Sequence, residues 1–300
     1  TQSQVKAAEG GVSAARQYPN PEFSVRRARG ETFNGSESGL VNDIEVSLPL
    51  EWVMLRHYRQ KAARAGLDIA RLEEQAARLK VLLELRLSYL TVAYDQARII
   101  SLSESSENLE RLVEVVKLRV DKGEARPVEL IRMESEYTEA LAELDNAKEM
   151  AAADRKGLAV WLGNSIPEDF RVELDLETPP SLPELDDVIS RVQAGYPMIR
   201  AAQARVFQAE AQVSAAQHAA FPAISIGGFR NEELDTRYCG GMLTISLPLW
   251  NWNLGEVQKA KAGKQTAVYE NDLTGRKLRE EAIRLHGSAK ALLKSIDQYS

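Results

Sequence analysis

Cysteine and aromatic residues are scarce in this sequence, and each shortage removes a class of protein. The 300 residues include one cysteine, Cys239, which cannot build an intrachain disulfide framework or a cysteine-based zinc site. Aromatic residues make up only 6% of the chain, and alanine, leucine, glutamate and arginine dominate its long middle stretches, as in helical or coiled-coil proteins. No run of about 18 apolar residues occurs, so no transmembrane helix is predicted.

The sequence also lacks the motifs of common enzymes. There is no G-x-S-x-G, no phosphate-binding loop and no dinucleotide fingerprint, so we predict no catalytic residue, no cofactor and no enzymatic activity. The histidines, His57, His218 and His286, lack metal-ligand spacing, and we interpret them as helix-surface residues rather than a metal site. The net charge is −6 with both signs interspersed, which argues against nucleic acid as a partner.

A signal peptide is absent, and the sequence begins inside a helical pattern. We therefore expect a mature or trimmed fragment.

The sequence does contain an internal duplication. The segment 12–25 returns as 213–226, at an offset of 201 residues. Further along, Ser47–Leu50 returns as Ser246–Leu249, at an offset of 199 residues. Two matches in the same order and at nearly the same offset indicate two copies of one structural repeat.

The first repeat is predicted to occupy residues 1–195. It opens with the end of a helix, which stops before Pro19 and Pro21. Alternating apolar and polar residues predict a β-hairpin over 22–50, with a turn-rich loop at 30–39. The period then changes to about 3.5, which predicts a helix over about 51–120, roughly 100 Å long. Its apolar stripe comprises Leu72, Ala76, Leu79, Leu83, Leu87, Leu90, Tyr94 and Ala97, followed by Leu109, Leu112 and Val116.

A tight helical hairpin follows this long helix. Gly123 after one helix and Pro127 at the start of the next are in the order expected for such a turn, which we place at 121–127. The returning helix is predicted over 127–162. Its stripe comprises Leu130, Met133, Tyr137, Ala140, Leu144, Ala147, Ala151, Leu158 and Trp161, with Asp154 as the one polar interruption.

A proline-rich connector, 163–195, links the two repeats. We predict one short strand at 172–176 and a short helix at 185–194 within it.

The second repeat is predicted to occupy residues 196–300. Its elements are a helix at 197–218, a β-hairpin at 223–249 with its loop at 230–241, and a long helix from about 250. By the repeat offset, the second helical turn would fall near position 322, beyond the end of this sequence.

These elements predict a mainly α-helical fold with a small β part. Two β-hairpins cannot bury both of their faces, and a long helical pair needs partners along its whole length. Several chains side by side would satisfy both, because their strands can close into a barrel and their helices into a tube.

The ordered set of motifs resembles the TolC-type outer-membrane efflux proteins over essentially the whole chain. The Asn-Pro-Glu segment at 20–22 is most similar to the heavy-metal branch of the family, the cobalt-zinc-cadmium resistance type. The motifs that carry the resemblance are 19–24 and 221–225 at the strand starts, 47–50 and 246–249 at the strand ends, 119–123 with 129–130 at the hairpin tip, 162–163, and 196–202.

This resemblance implies a homotrimer in the outer membrane of a Gram-negative cell. Each chain would give four strands to a twelve-stranded transmembrane β-barrel in outer-membrane lipid, and its helices would build an α-barrel tunnel across the periplasm. The protein would be the passive exit duct of a tripartite efflux system, exporting divalent heavy-metal cations. Its partners would be a periplasmic adaptor (membrane fusion) protein and an inner-membrane pump of the resistance-nodulation-division type.

The resemblance also implies that the hairpin tip contacts the adaptor, whereas Gly123 and Pro127 could instead serve only to turn the chain. Because Lys122 and Glu124 flank Gly123, we expect a polar, salt-sensitive contact. Asp121 and Glu124 could also line a closed channel entrance, although a solvated helix end is the preferred interpretation. The tip residues are Arg119, Asp121, Lys122, Gly123, Glu124, Ala125 and Pro127.

The strands carry two further sets of candidate residues. In a barrel with a wet lumen, polar side chains alternate toward the inside, and the alternatives are a soluble sheet or a loop rather than strands. The candidate lumen residues are Arg26, Arg27, Arg29, Asn42, Asp43 and Glu45. The prolines that mark the strand starts and ends are Pro21, Pro49, Pro222 and Pro248.

Other functions remain open at this point. One is a multidrug, small-molecule or protein export duct of the same family. Another is a periplasmic adaptor, although two equivalent hairpins per chain argue against it. A soluble coiled-coil scaffold is the third, and it would need no detergent for extraction. An enzyme is the least favoured.

Overall fold

A computed structural model of the chain describes residues 2–31, 38–51, 53–163, 167, 170–174, 181–233 and 236–299. The described residues form two compact units, Thr1–Ala77 with Leu182–Ser300, and Arg78–Ser181. The fold is mainly α-helical with one small sheet, as predicted. Its elements are α1 (Gln2–Arg16), β1 (Glu22–Glu31), β2 (Ser38–Leu50), α2 (Val53–Asp121), α3 (Pro127–Trp161), α4 (Leu185–Gly195), α5 (Pro197–His218), β3 (Ala223–Glu232), β4 (Arg237–Ser246) and α6 (Leu254–Tyr299).

The two β-hairpins join in one antiparallel sheet of order β1-β2-β3-β4. Strands β2 and β3 pair from Asn42 opposite Glu232 to Leu50 opposite Ile224. The two copies of the repeat therefore meet at the centre of the sheet. Strands β1 and β4 form its edges, where one row of backbone N–H and C=O groups faces outward.

The second hairpin ends earlier than the sequence pattern predicts. Strand β4 stops at Ser246 rather than Leu249, and α6 begins at Leu254 rather than near residue 250. The end of β2 is held on its outer side by pairing with β3, whereas β4 is an edge strand without that support. Asn253 then turns the chain with a φ of 57°, and its N–H binds the side-chain oxygen of Asn251 over 3.0 Å.

The loop of this second hairpin is shorter than the predicted 230–241. Strand β3 continues to Glu232 and β4 resumes at Arg237, so polar residues there belong to strands. The Glu232 carboxylate holds Arg230 at 2.8 Å and Arg237 at 3.3 Å, which ties the two strand ends together. In the first hairpin, most of the predicted loop at 30–39 falls on residues 32–37, outside the described residues.

The connector between the repeats has little regular structure. Residues 172–174 are neither helix nor strand, so the described part of the predicted strand at 172–176 is absent, and its last two residues lie outside the described residues. The connector backbone already has partners on α2, because the side-chain amide of Gln96 binds the backbone of Val172. The predicted short helix is observed as α4.

Within the unit Arg78–Ser181, α2 and α3 pack as an antiparallel hairpin. Arg98 of α2 donates to the Glu143 carboxylate of α3 over 3.1 Å. The predicted α3 stripe faces this contact, with Leu144 and Leu158 buried, whereas its last residue, Trp161, is 47% exposed. Burial of the stripe removes apolar surface from water at about 25 cal/mol per Å², and this burial holds the pair together.

On α2, by contrast, the predicted stripe is not the buried face of this unit. Val92 and Ala93 are only 1% and 5% exposed, whereas Leu87 is 54% exposed. The helix carries apolar side chains on two faces, and α3 covers only one of them. The uncovered face, named here the outer α2 stripe, comprises Leu79, Leu83, Leu87, Leu90 and Tyr94.

In the other unit, α5 packs against α6 and the first turns of α2. Its buried alanines, among them Ala202 and Ala209, permit a close helix approach. The amide of Gln208 donates to the carbonyl of Ala62 over 3.4 Å, and Lys264 pairs with Glu210 at 3.1 Å. These contacts support the helices that lie next to the sheet.

Candidate functional site

The hairpin tip is closed by a Schellman motif at the end of α2. The N–H of Gly123 donates to the carbonyl of Val120 over 2.9 Å, and the N–H of Glu124 donates to the carbonyl of Arg119 over 2.8 Å. Gly123 has a φ of 76°, a left-handed conformation in which a Cβ would be strained. The glycine that the sequence singles out is therefore required by the backbone of the turn.

The other side of the tip is organised by Pro127. Arg126 is the N-cap in extended conformation, with φ −83° and ψ 144°, and Pro127 occupies the first helical turn of α3, where its missing N–H costs nothing. The N–H of Glu129 donates to the carbonyl of Arg126 over 2.9 Å, and the Glu129 carboxylate lies favourably at the positive end of the helix dipole. The predicted tip residues thus lie together on one short, ordered turn.

The surface of the tip is both charged and apolar. Arg119, Asp121, Lys122 and Glu124 are all exposed, as the sequence analysis expects. The apolar residues beside them were not predicted from the sequence, although their three-residue spacing is visible there. They are Val115 and Leu118 on α2 and Val128 and Ile131 on α3, and each is 53–65% exposed.

The sheet has one apolar face, which is bare in this chain. Directly paired residues project to the same side of a sheet, so the register assigns each side chain to a face. The exposed apolar members of this face range from 38% exposed at Leu48 to 68% at Phe23. They are Phe23, Val25, Leu40, Ile44, Val46, Leu48, Leu50, Ile226, Leu243 and Ile245, and the half-buried Ile224 lies on the same face.

The opposite face of the sheet is mainly polar. Of the predicted lumen residues, Arg26, Asp43 and Glu45 share this face, and Arg26 lies 3.9 Å from Asp43. The other three, Arg27, Arg29 and Asn42, project to the apolar side, near the loop end of the first hairpin. The alternation in the sequence could have separated the two sets.

The four prolines lie where the sheet meets the helices. Pro21 precedes β1 and Pro222 precedes β3, whereas Pro49 lies within β2 opposite Ser225 and Pro248 follows β4. An open cavity of about 760 Å³ includes Pro49 in its lining. A second cavity of about 330 Å³ is lined by Pro222 and Pro248. These positions terminate or bend strands and supply no reactive group.

The histidines do not assemble into a metal site in the described part of the chain, where no group of three or more potential ligands is found. His218 packs on Tyr58 with ring centroids 4.9 Å apart, and its Nδ1 lies 2.7 Å from the carbonyl of Ser214. His286 Nε2 lies 3.0 Å from the carbonyl of Pro183. The rings of His218 and His286 therefore serve packing or backbone contacts.

None of the described helices has the length and apolar character needed to cross a bilayer.

The four-stranded amphipathic sheet, joined to long helices in a duplicated chain, is the fold of TolC-type outer-membrane efflux channels. The chain superposes on a crystal structure of CusC, reported for the changes accompanying its folding and transmembrane channel formation, with a TM-score of 0.79. The superposition covers 99% of this chain and 74% of CusC at 15% sequence identity. No protein-family profile matches the chain.

Sequence similarity to two efflux proteins supports the same class of fold. The cobalt-zinc-cadmium resistance protein CzcC of Cupriavidus metallidurans is 23% identical over 259 residues, which is 86% of this chain and 60% of CzcC. The toluene efflux pump outer membrane protein TtgF of Pseudomonas putida is 24% identical over 236 residues, 71% of this chain and 47% of TtgF. These comparisons confirm the family resemblance predicted from the sequence, and the chain spans about half to three-fifths of these relatives.

Proposed function

We propose that this chain forms part of an outer-membrane exit duct, through which a tripartite efflux system expels its substrate from a Gram-negative cell. The observation that carries the proposal is the sheet, whose apolar face is bare while its other face is mainly polar. Exposing the apolar face to water would be unfavourable. In a barrel, the apolar face would contact lipid and the polar face would line a wet lumen. The proposed role is passive conduction, without a catalytic step.

The proposed assembly is a homotrimer. Strands β1 and β4 have unpaired edges in the sheet, and a lipid environment tolerates strands only when every edge is paired. Three copies would pair β4 of each with β1 of the next and close a barrel. The outer α2 stripe supports the same assembly, because its leucines are left exposed by the described part of the chain and would be covered by a neighbouring copy.

For the cargo, we propose divalent heavy-metal cations. The support is the similarity to CzcC, whose name records cobalt, zinc and cadmium resistance. The second candidate is small organic molecules, which the similarity to the toluene efflux protein TtgF favours. Deleting the gene and testing growth with zinc, cobalt, cadmium, copper, toluene and common antibiotics separates the two. Sensitivity to metals alone supports the metal duct, and sensitivity to solvents or drugs alone rejects it.

At the hairpin tip, we propose contact with a periplasmic adaptor protein, which in turn engages an inner-membrane pump. The exposed charges of Lys122 and Glu124 favour a salt-sensitive contact, to which the neighbouring Leu118 and Val128 add apolar area. A Gly123→Trp variant should abolish co-purification with the adaptor while leaving the protein folded in the outer membrane. Unchanged co-purification and resistance would remove the tip from the contact, and Gly157→Trp on α3 is a suitable control.

A further inference from the structure

One buried acid in the helical hairpin lacks the partners that a buried charge needs. Asp95 lies on the face of α2 that packs against α3, beside Val92 and Ala93, and is only 9% exposed. Its Oδ2 is buried, and no hydrogen-bond donor among the described residues reaches it. A lone ionised carboxylate in such a place carries a large desolvation cost.

The group facing Asp95 from α3 is a second acid. The carboxyl of Asp154, the residue that interrupts the apolar stripe of α3, lies within hydrogen-bonding range of the Asp95 carboxyl. Two ionised carboxylates cannot hydrogen-bond to each other, because neither has a proton to donate. At this distance they also repel, which favours a proton on the buried Asp95 carboxyl.

The other charges near the pair offset this repulsion only in part. Arg98, one turn further along α2, acts on Asp95, but its guanidinium already binds Glu143 at 3.1 Å. The connector lies along the same stretch of α2 and carries two further charged residues, Arg171 and Glu173. Its backbone is held there by two side chains of α2. The Gln96 amide binds the backbone of Val172, and the Tyr89 hydroxyl donates to the carbonyl of Glu173. Arg155 follows Asp154 on α3.

From this arrangement we infer that Asp95 and Asp154 share one proton, and that this proton fastens α2 to α3 and makes the hairpin sensitive to pH. The ligand of the site is the proton itself, which can exchange with solvent because Asp154 is exposed. Losing it leaves two like charges in an otherwise apolar seam and favours local separation of the helices.

The direction in which pH changes the stability of the hairpin follows from the raised pKa of Asp95. Burial, and then the neighbouring charge and hydrogen bond of Asp154, raise the pKa of Asp95 above its usual value. The folded hairpin therefore binds its proton more tightly than the unfolded chain. Its stabilisation is complete below the ordinary aspartate range and is lost as pH rises through the raised pKa.

Hydrogen exchange measured by mass spectrometry on the full chain tests this inference. Exchange protection in peptides covering 86–102 and 147–161 is compared in steps from about pH 3.5 to about pH 8.5, after correction for intrinsic rates. We expect protection to be highest at the acidic end and to fall several-fold as pH rises through the raised pKa of Asp95. In Asp95→Asn the amide can donate to Asp154 without a shared proton, so protection should not change with pH.

Two further variants keep the test decisive. Asp154→Asn should also remove the pH dependence, because its amide donates to Asp95, and it substitutes for Asp95→Asn if that variant does not fold. Asp145→Asn, an exposed acid of α3, is the matched control and should behave as the unmodified chain. If all three variants keep the original pH dependence, the shared proton is disproved. The same conclusion follows if the pH dependence appears only after divalent cations are removed with a chelator, because a metal ion would then bridge the pair.

Discussion

The N–H of Glu124 donates to the carbonyl of Arg119 over 2.8 Å, five residues back along the chain, and this bond closes the hairpin tip. The bond requires the left-handed backbone of Gly123 that lies between them. Replacing Gly123 with alanine should destabilise the hairpin by about 1–2 kcal/mol, the cost of a Cβ in that conformation. Chemical denaturation followed by circular dichroism measures the change.

Gly157 provides the control for this prediction. It lies inside α3 with open space around its Cα, so Gly157→Ala should stabilise the hairpin by about 0.5–1 kcal/mol. Equal effects of the two substitutions would contradict the role assigned to the left-handed turn.

On the sheet, adjacent residues of β3 should respond differently to the same substitution. Ile226→Arg places a charge on the bare apolar face and should cost about 2–4 kcal/mol in a bilayer. Ser225→Arg places it on the mainly polar face and should cost much less. The measurement is the yield of folded, heat-modifiable protein in the outer-membrane fraction. Equal losses for both variants would argue against a lipid-facing surface.

Assembly of the proposed trimer should depend on the outer α2 stripe. Leu87 is 54% exposed in the chain, so Leu87→Ala should leave a single chain nearly unchanged but lower the thermal stability of the trimer. A contact that buries this side chain in the assembly predicts a loss of about 2–5 kcal/mol per chain. Arg86→Ala, at the neighbouring exposed position, is the control. Trimer dissociation on semi-native gels gives the readout, and identical melting of both variants would be incompatible with the contact.

A tyrosine in the hairpin seam should titrate late. Partial burial, followed by the charge of Glu110 and its hydrogen bond to the hydroxyl, raises the pKa of Tyr137 above the ordinary tyrosine value. The neutral hydroxyl therefore favours the folded hairpin, and this contribution is lost as pH rises through the raised pKa.

Glu110→Gln should accordingly lower the pKa of Tyr137 toward its ordinary value. The ultraviolet difference titration between the chain and its Tyr137→Phe variant isolates this residue among the nine tyrosines. Glu114→Gln, an exposed position one turn away, should leave the titration unchanged. An unshifted curve in Glu110→Gln would show that Glu110 does not control the hydroxyl.

Much of the architecture could be predicted from the sequence because local chemistry determines it. Gly123 and Pro127 carry the tip, since each satisfies a backbone requirement that few other residues meet. Periodicity located the helices to within a few residues, and the two matching segments revealed the duplication. The pairing of β2 with β3 is consistent with that duplication but depends on contacts between distant parts of the chain.

The features that could not be predicted from the sequence are those that depend on contacts with distant segments or with other molecules. The stripe on α2 from Leu79 to Tyr94 is a genuine apolar pattern, but periodicity cannot say whether the same chain or another molecule covers it. Likewise, the end of β4 depends on a neighbouring strand on its open side, and none of the described strands lies there. Asp154 was visible in the sequence as a polar residue within the apolar stripe of α3. Its proximity to Asp95 became apparent only from the packing of α2 against α3.

The open edges of β1 and β4 have a consequence for biogenesis. Until they are paired, a newly made subunit displays two templates onto which any extended polypeptide can add, which is the first step toward aggregates. In the proposed assembly, covering both edges before the ring closes, for example by a holdase chaperone, would be expected to prevent this addition. A synthetic peptide with the sequence of residues 22–31 would also be expected to cap β4 and arrest ring closure.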